Sequence, residues 1–157
     1  MTSMLPDFVE PMLARLGEAF DSERHLFEVK WDGARSLAFA EAGRHRLRSR
    51  NRRDQTPLYP ELAGLAALPS GSLLDGELVV LDDGAPRFEA MLSRENASPR
   101  RAAHEARIRP ATYVVFDVLF AGGSDCQADP LRVRRERLAE LVANLDDPHV
   151  VLSDGVL

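Results

Sequence analysis

Lysine is almost missing from this chain: of its twenty basic residues nineteen are arginine, and the single lysine is Lys30. A codon bias toward arginine explains the general skew but not the exception. Arginine keeps its proton at any biological pH, whereas a lysine that is desolvated or set beside other cations can give its proton up and attack an electrophile. Lys30 is therefore a candidate nucleophile, and a surface lysine paired with Glu28 or Asp32 is the plainer alternative.

Cysteine is as scarce. Cys126 stands alone, which excludes an intrachain disulfide or a thiolate metal cluster and agrees with a reducing cytoplasm; an ordinary surface or half-buried thiol is expected. Long apolar runs are missing too. The opening stretch MTSMLPDFVEPMLARL has no basic start and no continuous apolar core, and no later window reaches membrane-spanning length, so neither export nor a membrane partner is expected. What remains, 45% hydrophobic and 29% charged residues over 157 positions, suits one soluble domain with a core of its own.

The net charge of −5 is unevenly spread. Residues 44–53 read RHRLRSRNRR, and on an extended strand Arg44, Arg46, Arg48 and Arg50 fall on one side while His45, Leu47 and Ser49 fall on the other. Such a row is either a solvated arginine face or a surface that contacts phosphates.

Periodicity and turn residues predict strands over residues 26–30, 35–41, 44–50, 72–81, 112–120 and 150–153, with Ala42-Gly43 as a hairpin turn. Helices are expected over residues 59–68, 87–93, 98–107 (capped by Ser98) and from Asp129-Pro130 to about Asn144. Strands and helices do not alternate regularly, so the expected class is α+β, a largely antiparallel sheet with packed helices.

Three segments carry candidate chemistry. Lys30-Trp31-Asp32-Gly33 sets the amine at a strand end before a turn, where it can stand at the rim of a pocket on a rigid support. Asp75-Gly76-Glu77 puts two carboxylates at the head of a strand, as an ordinary acidic turn or as ligands for a sugar hydroxyl or a divalent cation. Phe116, in VVFDVLF, is either core or a platform for a base.

In this order the segments resemble the adenylation domain of ATP-dependent DNA ligases, in the covalent nucleotidyltransferase superfamily that also holds RNA ligases and capping enzymes; the ligase D type of bacterial end-joining is the nearest likeness. Lys30-Trp31-Asp32-Gly33 resembles the family's Lys-x-Asp-Gly motif, followed by Ser49-Arg50-Asn51, Pro60-Glu61-Leu62, Asp75-Gly76-Glu77, Phe116-Asp117-Val118-Leu119, and Pro130-Leu131 with Arg134-Arg135. The resemblance implies part of an ATP-grasp-like adenylation domain, a cytoplasmic, nucleoid-associated place in a bacterium, ATP and Mg²⁺ as cofactors, and nicked or broken double-stranded DNA as partner. It also implies residue roles: Lys30 attacks the α-phosphate, Glu28 contacts adenine, Arg35 and Arg50 contact ribose or phosphates, Glu77 binds the ribose or the metal, and Phe116 stacks on the base.

Departures from the family pattern are equally specific. No lysine follows Lys30, so the family's later phosphate-binding lysines have no counterpart in these residues, nor does its OB-fold domain; Arg52 stands where glycine is usual after Ser-Arg-Asn. The expectation is a weak or silent enzyme on its own, with a further polypeptide segment supplying the missing groups. A nucleotide- or DNA-end-binding remnant acting through a partner, or an RNA-ligase or capping-type nucleotidyltransferase, are the alternatives, and ATP against GTP would separate the last.

Overall fold

The computed structural model describes residues 5–156. In chain order its strands are β1 (Phe27–Glu28), β2 (Ala34–Glu41), β3 (Arg44–Ser49), β4 (Ser72–Asp82), β5 (Ala85–Pro86), β6 (Ala111–Ala121), β7 (Ser124–Asp125), β8 (Val150–Leu152) and β9 (Gly155–Val156). The helices are α1 (Phe88–Glu95), α2 (Pro99–Ile108) and α3 (Leu131–Leu145). The main sheet runs β3-β2-β4-β6-β7 with every neighbour antiparallel; β5 adds to β4, and β8 joins β6 as the one parallel pair among the described residues. The expected α+β class with a largely antiparallel sheet is what the chain adopts.

The two faces of this sheet differ, and the difference places the site. Ala38, Ala40, Leu47, Leu74, Leu78, Val80 and Val115 point to one face, where Met91 of α1, Ala102 of α2 and Leu138 of α3 close over them as the larger core. The alternate residues point the other way. In β2 and β4 the pairs are Arg35 with Glu77, Leu37 with Asp75 and Phe39 with Leu73. At one end of this second face Leu5, Leu37, Phe39 and Leu73 form a small apolar cluster, flanked by Phe8 and Val9. At the other end the period-two alternation delivers charge.

The β2–β3 turn is the expected one, with Ala42 and Gly43 both at positive φ (51° and 70°), the geometry a two-residue hairpin needs. Other expectations change. The helix expected over residues 59–68 is a 3-10 stretch over Pro60–Ala67, broken by a kink at Leu62 (φ −90°, ψ 15°) and preceded by another over Thr56–Leu58. Leu62, Leu65 and Leu68 are all buried, and their spacing of three matches the tighter winding better than an α-helix would. The strand expected over residues 26–30 shrinks to two residues, which among the described residues pair with β9. Arg50 lies beyond β3, which ends at Ser49 in a turn closed by Arg52 N–H to the Ser49 carbonyl at 2.8 Å. Arg52 takes φ 63°, so the left-handed position that suits the family's glycine is kept with an arginine, which stacks on Phe8 and pairs with Glu10. Cys126, expected at or near the surface, is fully buried. Among the described residues no helix is long and apolar enough to cross a membrane.

A buried ion pair ties the helical layer together. Arg94 of α1 bonds the Glu61 carboxylate and the Leu58 carbonyl (2.8 Å), and Glu61 also accepts the Ala111 N–H at 2.8 Å. Both side chains are almost solvent-free, at 2% and 4% exposure. Removing one member leaves the other charged and unpaired in a dry site, which costs about 3–5 kcal/mol. Glu61→Ala and Arg94→Met should each lower the urea unfolding free energy by that order, and the double variant by clearly less than the sum.

Candidate functional site

The sequence-predicted residues Glu28, Lys30, Arg35, Arg50, Glu77 and Phe116 all line one cleft of about 540 Å³, together with Leu13, Ala14, Val29 and Trp31. Four segments far apart in the chain deliver them. Glu28 ends β1, and Lys30 sits two residues past it, exposed at the rim. Gly33 then lets the chain enter β2: a Cβ there would fall well inside contact distance of the Leu78 carbonyl oxygen, so a side chain would push the Lys30 segment off β4. Arg35 and Glu77 face each other across β2 and β4. Phe116 comes from β6, and Arg50 from the turn after β3.

Arg35 is held from three sides. Its guanidinium grips Asp75 with two parallel bonds (Nε to Oδ1 at 2.6 Å, Nη2 to Oδ2 at 2.7 Å), lies 4.6 Å over the Phe116 ring, and donates to the Met12 carbonyl at 3.2 Å. Burial works against its charge, yet the Asp75 bonds outweigh that and leave its pKa above the ordinary value. Most of its donors are thus spent inside the protein. Arg35 holds the N-terminal segment against the cleft, and one face of Phe116 is already covered.

Glu28 is also engaged, by Arg135 of α3 at 3.0 Å. Burial raises the Glu28 pKa, and Arg135 offsets part of that rise. Arg135 itself donates to the carbonyls of Phe116 (3.3 Å) and Ser153 (2.5 Å), so it joins β1, β6 and the chain end. Beside it Arg134 makes a two-point bond to Asp117 (2.8 and 3.1 Å). The cation pair that follows Pro130-Leu131 in the sequence therefore fastens α3 under the cleft.

Glu77 is different. Among the described residues no cation lies within ion-pair distance of its carboxylate, and its backbone contact is with Gly33. Burial pushes its pKa up to about 7, against pulls from Arg35 and Lys30. A raised carboxyl pKa means that the folded state takes up the proton more readily than the unfolded chain. The contribution of this group is therefore fully present below pH 4.5 and is lost as pH rises through about 7. Glu77→Gln should flatten that part of the stability profile, read by urea unfolding at a series of pH values, with the wild-type chain losing more stability than the variant over that interval.

A half-buried carboxylate without a cation is a fitting ligand for one. Among the described residues no three or more His, Cys, Asp or Glu side chains are arranged so that they could hold a metal ion by themselves. A cation at Glu77 would take most of its oxygens from phosphate and water, which is how Mg²⁺ is commonly held. The donor set fits Mg²⁺ brought in with a nucleotide.

A second, smaller cavity of about 280 Å³ adjoins the first and shares Arg35, Arg50 and Glu77 with it; Ser49, Asn51, Gln55 and Glu95 complete its wall. Sequence reasoning missed Gln55 and Glu95. Glu95 accepts from Gln55 (3.0 Å) and from the Tyr59 hydroxyl, and Arg53 pairs with it at 3.5 Å. No local pattern announces this network, because its members meet only through the tertiary fold.

Comparison with known proteins agrees with the geometry. Residues 4–154 match the family model described as "ATP dependent DNA ligase domain". The chain is 35% identical to DNA ligase C of Mycobacterium tuberculosis over 85% of its length, and 35% identical to the SPbeta prophage-derived DNA ligase-like protein LigB of Bacillus subtilis over 94%. It spans 38% and 52% of those two relatives. Among solved structures, mycobacterial DNA ligase D complexed with ATP and MES superposes with a TM-score of 0.65 at 33% identity, covering 84% of this chain and 40% of that one.

Proposed function

The chain belongs to the ATP-dependent DNA ligase domain family, and from that premise we propose that Lys30 forms a covalent lysyl-AMP for transfer to the 5′-phosphate of a DNA nick or break. Nζ of Lys30 attacks the α-phosphorus of ATP, an N–P bond forms as the P–O bond to pyrophosphate breaks, and the nitrogen gives up its proton to solvent. AMP then passes to a DNA 5′-phosphate, and the N–P bond breaks.

The observation that carries this reading is the meeting of the lone lysine with Arg50, Glu77 and the Phe116 ring in one cleft. Phosphoryl transfer asks a protein chiefly for positioning and for compensation of developing charge. Arg50, exposed and without an ion pair among the described residues, is free to take a phosphate oxygen. Phe116 offers the base the face that Arg35 does not cover, and Glu28, which shares Arg135 with the Phe116 carbonyl, would contact the base edge in exchange with Arg135. Glu77 would hold Mg²⁺ or a ribose hydroxyl; bound there, Mg²⁺ neutralises phosphate charge. Incubation with ATP and Mg²⁺ of the chain joined to a C-terminal segment bearing the family's later lysines, followed by intact-mass measurement, tests the reading. Gain of one AMP on the chain supports it, and noncovalent binding alone favours a nucleotide- or DNA-end-binding role through a partner. GTP replacing ATP as the donor would favour a capping-type enzyme.

A further inference from the structure

We propose that Arg44, Arg46 and Arg48 form a phosphate track that leads the backbone of a DNA strand away from the Lys30 cleft; this rests on the reading of the cleft as a site of AMP transfer to DNA.

Three observations carry it. The first is direction. Arg44, Arg46 and Arg48 pair in register with Glu41, Phe39 and Leu37, and so share the sheet face that bears Arg35 and Glu77. His45 and Leu47 alternate to the opposite face, where Leu47 enters the larger core. Arg50 stands apart from the row, in the turn after β3 that faces the cleft. The row itself runs outward from Arg48, beside that turn, to Arg44, four residues or about 13 Å at a strand's rise per residue.

The second is charge left over. The nineteen arginines make ten ion pairs among the described residues, each with a different arginine, which leaves nine without one. Four of the nine are Arg44, Arg46, Arg48 and Arg50. In a chain of net charge −5, with twenty-five carboxylates to choose from, that concentration is not what random pairing leaves. The nearby Asp54 carboxylate accepts the Thr56 N–H at 3.0 Å; against the rise that burial brings, the Thr56 bonds and the charges of Arg48 and Arg46 hold its pKa below the ordinary value, so Asp54 offsets part of their charge without forming an ion pair with either. Glu41 stands opposite Arg44 across the β2–β3 pair.

The third is preorganisation. Arg46 lies 4.9 Å over the Phe39 ring, and Arg48 donates to the Arg52 carbonyl at 3.4 Å. Arg46 lies across Phe39 of the small apolar cluster and Arg48 is tethered to the Arg52 carbonyl, so both are partly ordered before any ligand arrives, which lowers the entropy lost on binding. Same-side residues repeat at about 6.7 Å, close to two nucleotide rises of ~3.4 Å along one DNA strand. A polyanion with regularly spaced charges is the ligand that such a row fits.

β3 is also an edge strand, and charged side chains on an edge discourage pairing with other chains. The experiment separates the two roles. Nicked duplex DNA is titrated into the wild-type chain, R44Q/R46Q/R48Q and R44K/R46K/R48K across a range of salt concentrations, with circular dichroism to confirm folding and sedimentation to read self-association. A phosphate track predicts that the glutamine variant loses affinity, with the slope of log K against log[salt] reduced by about 2–3, and that the lysine variant keeps the wild-type slope. A wild-type slope in the glutamine variant, whether or not it self-associates, overturns the proposal, as does a lysine variant that loses the slope along with it. AMP on Lys30 is read separately, on the chain joined to a C-terminal segment bearing the family's later lysines: its absence there removes the proposed function while leaving the salt slope to be judged by itself.

Discussion

Lys30→Arg is expected to abolish covalent AMP while leaving the chain folded and its noncovalent affinity for ATP within a few-fold of wild type. The substitution keeps the charge at the rim of the cleft, and Lys30 is exposed there, so neither packing nor local charge balance is disturbed. What it removes is the attainable neutral amine, since arginine does not lose its proton in proteins. Loss of a covalent nucleophile costs on the order of 10⁶ in rate where it has been measured, far beyond the effect of any positioning residue. Labelled AMP retained on the arginine variant at a measurable fraction of the wild-type level would show that another atom does the chemistry.

The second large effect concerns the chain as a 157-residue polypeptide. Self-adenylation by these residues alone should be very slow or undetectable, and fusion to a C-terminal segment bearing the family's later lysines should raise it sharply. Lys30 brings the attacking atom, and Arg50 faces the cleft from a turn, but Arg35, Arg134 and Arg135 are each spent on a carboxylate. No later lysine exists in these residues to offset charge at the α-phosphate. Each preorganised donor missing from such a site typically costs ~10²–10³ in rate, so two or three account for near silence. Rapid, stoichiometric adenylation of residues 1–157 would mean that Arg50 and Glu77 suffice, and the need for further groups would have to be given up.

Three of the six candidate residues, Lys30, Glu77 and Phe116, stand out because their segments have a local chemistry: a lysine shortly before Asp-Gly, carboxylates astride a glycine, an aromatic on an apolar strand. Glu28, Arg35 and Arg50 are picked out as site residues by the resemblance to the ligase family alone. Strand alternation also foretold which arginines share a side, and it erred at Arg50, where the chain leaves the strand for a turn that a glycine-like φ at Arg52 closes. What stayed hidden are the contacts that depend on where distant segments meet. Arg53 and Gln55 reach Glu95 about forty residues away, and the pairings of Arg35 with Asp75 and of Arg135 with Glu28 span 40 and 107 positions. Those pairings decide which cations remain available to a ligand, and composition says nothing about them. The 3-10 winding of Pro60–Ala67 was hidden for a related reason: leucines spaced by three and by four are both present, and only the packed core selects between them.

The chemistry assigned to the cleft meets its sharpest test in mapping the adduct. After incubation of the chain with ATP and Mg²⁺, joined to the C-terminal segment if the signal from residues 1–157 is weak, proteolysis and tandem mass spectrometry should place one AMP on the peptide containing Lys30, through a bond that acid cleaves. An acid-stable adduct, or AMP on any residue other than Lys30, would contradict a phosphoramidate formed at this site.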